Sequence, residues 1–180
     1  MRHAGETRKE TALYWLGIYH RMKAIVYPLA ISGPRGKEGE LREVTIRIPI
    51  EPQPKGRPKF TTIAGHPHAY TPKKTLNYES QISDLYKQLS GRFYIKKPQA
   101  IHVAIMFGMP IPMSTPKKNR PLMIADEIKH VKKGDIDNLA KSVLDALNGI
   151  AWEDDSQIVS LNLKKFYAEE PHIYLIIREV

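Results

Sequence analysis

The stretch that decides the predicted fold is residues 134–150, GDIDNLAKSVLDALNGI. Its apolar side chains recur at the spacing of one helical face: Ile136, Leu139, Ala140, Val143, Leu147 and Ile150. Asp135 stands where a helix cap belongs, and Gly149 stands where a helix commonly ends. The spacing therefore predicts an amphipathic helix that begins between two aspartates.

Further elements are predicted on both sides of this helix. Residues 44–50 alternate with period two and predict a strand, whereas residues 100–109 form an apolar run suited to a buried strand. Residues 78–89 have apolar side chains at helical spacing. Residues 158–166 and 172–177 alternate on either side of a short turn and predict a C-terminal β-hairpin. The order predicts a single α+β domain, with a small mixed sheet packed against two main helices.

The domain organisation follows from the composition of the remaining segments. Residues 1–40 contain a breaker cluster and are expected to be a partly mobile N-terminal extension, so that the domain proper covers residues 41–180. Residues 52–72, which contain five prolines, and residues 110–133 are predicted to be long loops. Loops of that length inside one domain are usually functional or disordered.

The charge of the chain is unevenly distributed. The net charge is +9, but residues 55–133 contain 15 basic and 4 acidic side chains, whereas residues 134–180 contain 4 basic and 9 acidic ones. A basic surface attracts polyanions, and carboxylates in the same protein would repel them unless a divalent cation lies between. The pattern indicates phosphate chemistry with a metal, although solvated charge at the surface explains the same counts.

Several classes of protein and site are excluded or disfavoured by composition. The chain has no cysteine, which excludes disulfides and thiolate metal sites and favours a reducing compartment. No apolar run approaches the roughly 20 residues of a membrane-spanning helix, and no signal peptide is recognised. The sequence therefore predicts a soluble cytoplasmic protein without a membrane partner.

The start of the predicted helix carries the first candidate site. Asp135 and Asp137 flank the apolar Ile136, and Lys141 follows Asp137 by four residues on the same side. Hard divalent cations such as magnesium prefer carboxylate oxygens, and a nearby lysine can stabilise charge on a phosphate. Ordinary structural roles also fit, because Asp135 can cap the helix and Asp137 can pair with Lys141.

A second acidic group follows the helix. Glu153, Asp154 and Asp155 are adjacent, and like charges this close cost stability unless they are solvated or neutralised. The return of the chain after the helix could bring Asp154 or Asp155 beside Asp135 and Asp137, and the sequence leaves open which of the two would complete the site. A turn with acidic residues also needs no function.

A third group is basic and aromatic and lies in the predicted loops. We expect it to hold a DNA backbone and to place aromatic rings near bases. Solvated basic loops are the alternative explanation. Its members are Lys55, Arg57, Lys59, Phe60, Tyr70, Lys73, Lys74, Lys117, Lys118, Lys132 and Lys133.

Residues 130–159, HVKKGDIDNLAKSVLDALNGIAWEDDSQIV, resemble RusA-type Holliday junction resolvases, a family common in bacteria and their prophages. Residues 54–60, PKGRPKF, and 69–72, AYTP, are similar to the phage-like branch of that family, and the resemblance covers residues 44–180. It implies a homodimeric α+β endodeoxyribonuclease that needs magnesium, for which manganese can substitute. Each subunit would cut one strand of a four-way DNA junction, giving paired symmetric nicks in recombination and repair.

The resemblance also implies which residues form the site. The acidic site of the family corresponds to Asp135, Asp137 and Asp155, with Asp154 adjacent, and its essential lysine corresponds to Lys141. This chain departs from many relatives at Gly134, where they carry proline.

Two other functions remain open at this stage. One is a module that binds branched DNA without cutting it, and the other is a nuclease that acts on flaps or other branched DNA. The dimer interface is expected in the C-terminal hairpin or in the strand at residues 100–109.

Overall fold

The computed structural model describes residues 31–32, 42–63 and 66–180. The predicted N-terminal extension therefore lies outside the described residues, apart from two positions that form a short strand. No helix in the described ranges is long and apolar enough to cross a membrane.

Ten helices and strands, with two short 3-10 turns, make up the described fold. In chain order they are β1 (Ile31–Ser32), β2 (Glu43–Ile48), β3 (Lys59–Ile63), β4 (His66–Tyr70), α1 (Lys73–Leu89), β5 (Ile101–Pro110), α2 (Arg120–Ile124), α3 (Ile136–Leu147), β6 (Ile158–Ala168) and β7 (His172–Glu179). Five strands form one sheet in the order β1-β2-β7-β5-β6, in which only β5 and β6 run parallel. The predicted α+β class and mixed sheet are confirmed.

The core lies between this sheet and the two main helices. Val103, Ile105 and Phe107 of β5 pack with the apolar sides of α1 and α3, and Trp152 is fully buried among them. The alternate residues of β5, Ala104 and Met106, join a second buried cluster on the opposite face of the sheet. Because both faces of β5 are apolar, the strand is buried along nearly its whole length, as predicted for residues 100–109.

The predicted C-terminal hairpin is wrong, because β5 lies between β6 and β7. A strand that is apolar on both faces is best buried in the middle of a sheet, and the two later strands pair with its two sides. The short turn between them crosses the end of β5, where a Cβ on Gly108 would lie 2.8 Å from His172 Cε1 and 3.0 Å from Ala168 Cβ. The strand at residues 100–109 consequently has no free edge for the dimer interface expected there.

The loops predicted at residues 52–72 and 110–133 contain structure. Strands β3 and β4 form a separate two-stranded ribbon, in which Lys59 pairs with Tyr70 and Phe60 with Ala69. Its residues gave no apolar periodicity because the ribbon's described side chains are exposed on both faces. The second loop contains a 3-10 turn at Lys117–Asn119 and the five-residue α2.

Replacing Gly108 by alanine should destabilise the protein by about 1–3 kcal/mol, the usual cost of overpacking a filled site. The His172 ring cannot easily move aside, since it is buried and its Nδ1 lies 2.8 Å from the Glu170 carbonyl oxygen. Urea unfolding followed by circular dichroism measures the change. The control is Glu169→Ala, at an exposed position of the turn between β6 and β7. It should shift the free energy of unfolding by less than about 0.5 kcal/mol. Equal stability of both variants and the wild type would contradict the proposed crowding.

Candidate active site

The start of α3 presents two carboxylates that the fold does not use. Asp135 is the residue before the first turn of α3, with extended backbone, yet its side chain makes no capping hydrogen bond. Asp137 is exposed in the first turn, and Ile136 between them packs against the core. Lys141 is exposed one turn later and forms no ion pair within 4.0 Å with any described residue. The Asp135 side chain therefore does not cap the helix, and Asp137 and Lys141 do not form the ion pair that their spacing allows.

The second acidic group follows α3 in a 3-10 turn at Asp155–Gln157. The Asp154 carboxylate accepts a hydrogen bond from the Ser156 backbone N–H at 2.8 Å, and its Oδ1 lies 3.7 Å from Lys97 Nζ. Hydrogen bonds from Ser156, and then the charge of Lys97, hold the pKa of Asp154 below its ordinary value. Asp155 instead accepts the indole N–H of the buried Trp152 at 2.8 Å through one oxygen, Oδ1. Asp154 therefore caps the turn, and Asp155 has an oxygen without a hydrogen-bond partner in the described chain.

The two acidic groups lie at opposite ends of β5. Lys165 Nζ donates to the Gly134 carbonyl at 2.9 Å, and a Cβ on Gly134 would lie 3.6 Å from Met109 Cε, so α3 starts near the end of β5. Asp155 instead lies just before Ile158, which pairs with Ile101 at the start of β5.

The length of α3 sets the separation between the two groups. The helix has 12 residues, and at 1.5 Å per residue such a helix spans about 18 Å. Within the described residues, no group of three or more His, Cys, Asp or Glu side chains could hold a metal ion. The four predicted metal ligands thus form two separate pairs in one chain, Asp135 with Asp137 and Asp154 with Asp155.

A cleft of about 1150 Å³ opens beside the start of α3. One wall is formed by residues 51–54, Gly56 and the start of α1, and the other by the end of β5 and residues 130–134. Lys74, Lys132 and Lys133, three of the predicted DNA-binding residues, line this cleft. It ends at Gly134, so the exposed carboxylates of Asp135 and Asp137 follow directly along the chain.

The remaining basic and aromatic residues do not line the cleft. On the ribbon, the Phe60 side chain is 78% exposed and that of Tyr70 is 45% exposed. Cross-strand pairing of Lys59 with Tyr70 and of Phe60 with Ala69 places the two aromatic rings on opposite faces of the ribbon. Arg57 and Lys73 are exposed near the same end of the ribbon, where Lys59 pairs with Tyr70. Lys117 and Lys118 lie on an exposed 3-10 turn that does not line the cleft.

Lys55 differs from the other predicted DNA-binding residues. Its Nζ lies 3.0 Å from Glu79 Oε1 and also contacts Asp145 Oδ2, and its side chain is only 21% exposed. Burial disfavours its charged form, but hydrogen bonds and charges from Asp145 and Glu79 outweigh burial and raise the pKa of Lys55. Lys55 is therefore engaged in internal ion pairs, and its contact with DNA stays a prediction. The sequence did not indicate these ion pairs because both partners are distant along the chain.

Two further residues, His130 and Lys165, support the cleft wall and were not among the predicted site residues. His130 is buried in the cleft wall, with its ring centroid 4.7 Å from that of Tyr167. Burial, followed by the charge of Lys165, lowers the pKa of His130. Lys165 donates to the carbonyl oxygens of Lys132 and Gly134 at 3.2 and 2.9 Å and so holds the segment before α3 against β6. No local pattern marks Lys165, which lies within an alternating strand.

Comparisons with known proteins cover the part of the chain that contains this site. The family model described as "Endodeoxyribonuclease RusA" matches residues 49–178. A protein of Bacillus subtilis (strain 168) named "Uncharacterized protein YqaN" is 34% identical over 130 residues, which cover 72% of this chain and 92% of that protein. The matched range contains both pairs of aspartates, Lys141 and the cleft.

Asp155→Ala should destabilise the protein by about 1–3 kcal/mol, because it leaves the buried indole N–H of Trp152 without an acceptor. Asp155→Asn keeps an acceptor oxygen of the same geometry and should change stability by less than about 1 kcal/mol. Urea unfolding of both variants provides the comparison. Equal losses of stability would show that the hydrogen bond to Trp152 does not matter for folding.

Proposed function

The chain belongs to the RusA endodeoxyribonuclease family, and from this premise we propose that it is a magnesium-dependent endonuclease that resolves four-way DNA junctions. It would introduce paired symmetric nicks during DNA recombination and repair. The observation that carries the proposal is the pair of unpartnered, exposed carboxylates, Asp135 and Asp137, at the end of a basic cleft. Family membership accounts for the nuclease activity, and the four-way junction and the metal are the proposed refinements.

The donor set at the start of α3 suits a magnesium ion. Asp135 and Asp137 offer carboxylate oxygens that no cap or ion pair occupies, and magnesium prefers such ligands while keeping several waters. Manganese accepts the same oxygen donors. A bound divalent ion supplies Lewis acidity and makes its bound water more acidic. Lys141, one turn along, is free to bind the scissile phosphate and to stabilise the negative charge that develops there.

The basic cleft would receive the DNA backbone. Lys74, Lys132 and Lys133 line it, and neutralising phosphates with lysines releases counterions, so binding should weaken as salt rises. Five further basic side chains are exposed outside the cleft and would add to the positive surface: Arg57, Lys59, Lys73, Lys117 and Lys118. The exposed rings of Phe60 and Tyr70 can stack on bases that are unpaired at a branch point.

A second copy of the chain would complete the metal site. Strand β6 is an edge strand of the main sheet, and its Val159 and Leu161 side chains are 64% and 39% exposed. If two such edges meet antiparallel, the start of one β6, beside Asp155, lies next to the end of the other, beside the start of α3. Asp155 of one copy would then join Asp135 and Asp137 of the other, and the two-fold axis would give two equivalent sites.

The direct test is cleavage of a synthetic four-way junction by the purified protein with and without magnesium. We expect paired symmetric nicks that need the metal. In Asp137→Asn, nicking should fall by more than about 100-fold, which is the upper end for groups that only support a metal ligand. Junction binding should persist in that variant, because its lysines are unchanged.

The control substrates are a linear duplex and a flap of the same sequence. Cleavage of the flap in preference to the junction would favour a nuclease for other branched DNA. Tight junction binding without nicks in magnesium or manganese, across several junction sequences, would overturn the enzyme assignment and leave a branched-DNA binding module.

A further inference from the structure

Lys55 lies in a network of three charges between α1 and α3. Glu79 projects from α1 and Asp145 from α3, and the Lys55 ammonium contacts both carboxylates. All three side chains are at least two-thirds buried, with exposed fractions of 21%, 16% and 31% for Lys55, Glu79 and Asp145. One cation thus lies between two carboxylates that would otherwise face each other without a counterion.

The backbone around Lys55 is attached to the same two helices. The Lys55 N–H donates to the Asn138 carbonyl at 3.0 Å, directly beside Asp137. Ser142 Oγ donates to the Gln53 carbonyl at 2.8 Å, and the Gln53 N–H donates to the Tyr78 hydroxyl at 3.0 Å. The segment from Gln53 to Gly56, here called the strap, is therefore held against the first two turns of α3.

The strap connects parts of the proposed site. It lines one wall of the cleft, and the exposed ribbon begins three residues after it. A Cβ on Gly56 would lie 2.6 Å from Thr75 Oγ1, so the chain passes α1 at a distance that only glycine permits without movement. Displacement of the strap would move the cleft wall and the ribbon relative to Asp137.

The network also determines which partner Asp145 has. Lys141 and Asp145 are four residues apart on α3, a spacing at which lysine and aspartate side chains can pair. They form no ion pair within 4.0 Å in the described structure, and Asp145 contacts Lys55 instead. Lys141 therefore keeps its side chain free at the exposed start of the helix.

We propose that Lys55 is a positioning residue, which engages Asp145 so that Lys141 stays available to the scissile phosphate. This inference rests on the proposed function, because it takes Lys141 as the group that meets the phosphate. In this role, Lys55 acts on Lys141 through Asp145 and does not itself contact DNA. Without the Lys55 ammonium, Asp145 would attract Lys141, and Glu79 would be left without a cationic partner.

The test compares Lys55→Met, Asp145→Asn and the double variant in junction cleavage at saturating DNA. We expect Lys55→Met to lower kcat about 10- to 100-fold, as loss of an orienting group does. The double variant should regain most of that loss, because the carboxylate that competes for Lys141 is gone. Lys55→Arg, which keeps the charge, should stay within about threefold of wild type, and thermal melts monitored by circular dichroism should establish folding of each variant.

The salt dependence of junction binding distinguishes a positioning role of Lys55 from a direct contact between Lys55 and DNA. Each lost phosphate contact reduces the slope of log K against log salt by about 0.9 for duplex DNA. Lys55→Met should leave this slope unchanged, whereas Lys133→Met, in the cleft, should reduce it by about one contact.

Two results would overturn the positioning role. One is a reduced salt slope in Lys55→Met, which would identify a DNA contact, and the other is a double variant no more active than Lys55→Met. If the wild-type protein cuts no junction, the proposed function fails, but the salt slope still decides whether Lys55 contacts DNA.

Discussion

Strand β5 carries apolar side chains on both faces, and it lies in the interior of the sheet, between two other strands. This constraint places β7 on one side and β6 on the other, so that β6 becomes an edge of the sheet. Helix α3 then runs along the sheet from one end of β5 to the other. The positions of both acidic pairs follow, because one precedes α3 and the other precedes β6.

The separation of those pairs has a chemical consequence. The two carboxylates at the start of α3 would supply part of the proposed divalent-cation site, and Asp155 lies about the length of α3 away. A magnesium site that uses all three needs a second chain. The exposed edge of β6 offers a surface for such a chain, and a two-fold arrangement would relate the requirement for a dimer to the symmetry of a four-way junction.

The positive charge available at the surface depends on which basic side chains are engaged inside the protein, as well as on how many the sequence contains. Among the basic residues, Lys55 is neutralised by Glu79 and Asp145, and Lys165 binds backbone carbonyls before α3. Lys74, Lys132 and Lys133 remain in the cleft. A count of lysines in a sequence therefore overestimates the surface available to DNA, since some of these side chains hold the site together.

Much of the fold and part of the candidate site were predictable from local pattern. The spacing of apolar residues predicts α3, α1 and the buried strand β5, and the i,i+4 spacing of Asp137 and Lys141 places them on one helical face. The order of strands was not predictable, since a hairpin and a crossing past β5 have the same alternation. The pairing of Lys55 with Asp145 spans 90 residues and leaves no periodic trace. The ribbon was not predicted, because neither of its faces is buried and its sequence therefore has no apolar periodicity.

The central claim is that Asp155 of one chain acts with Asp135 and Asp137 of another. It is tested most directly by mixing two inactive proteins, Asp137→Asn and Asp155→Asn, under conditions that exchange subunits. A shared site predicts that mixed dimers regain one intact site and nick one strand of a four-way junction, although neither parent cuts. If mixed dimers form, as verified by mass, and remain as inactive as both parents, the site does not combine residues from two chains in this way.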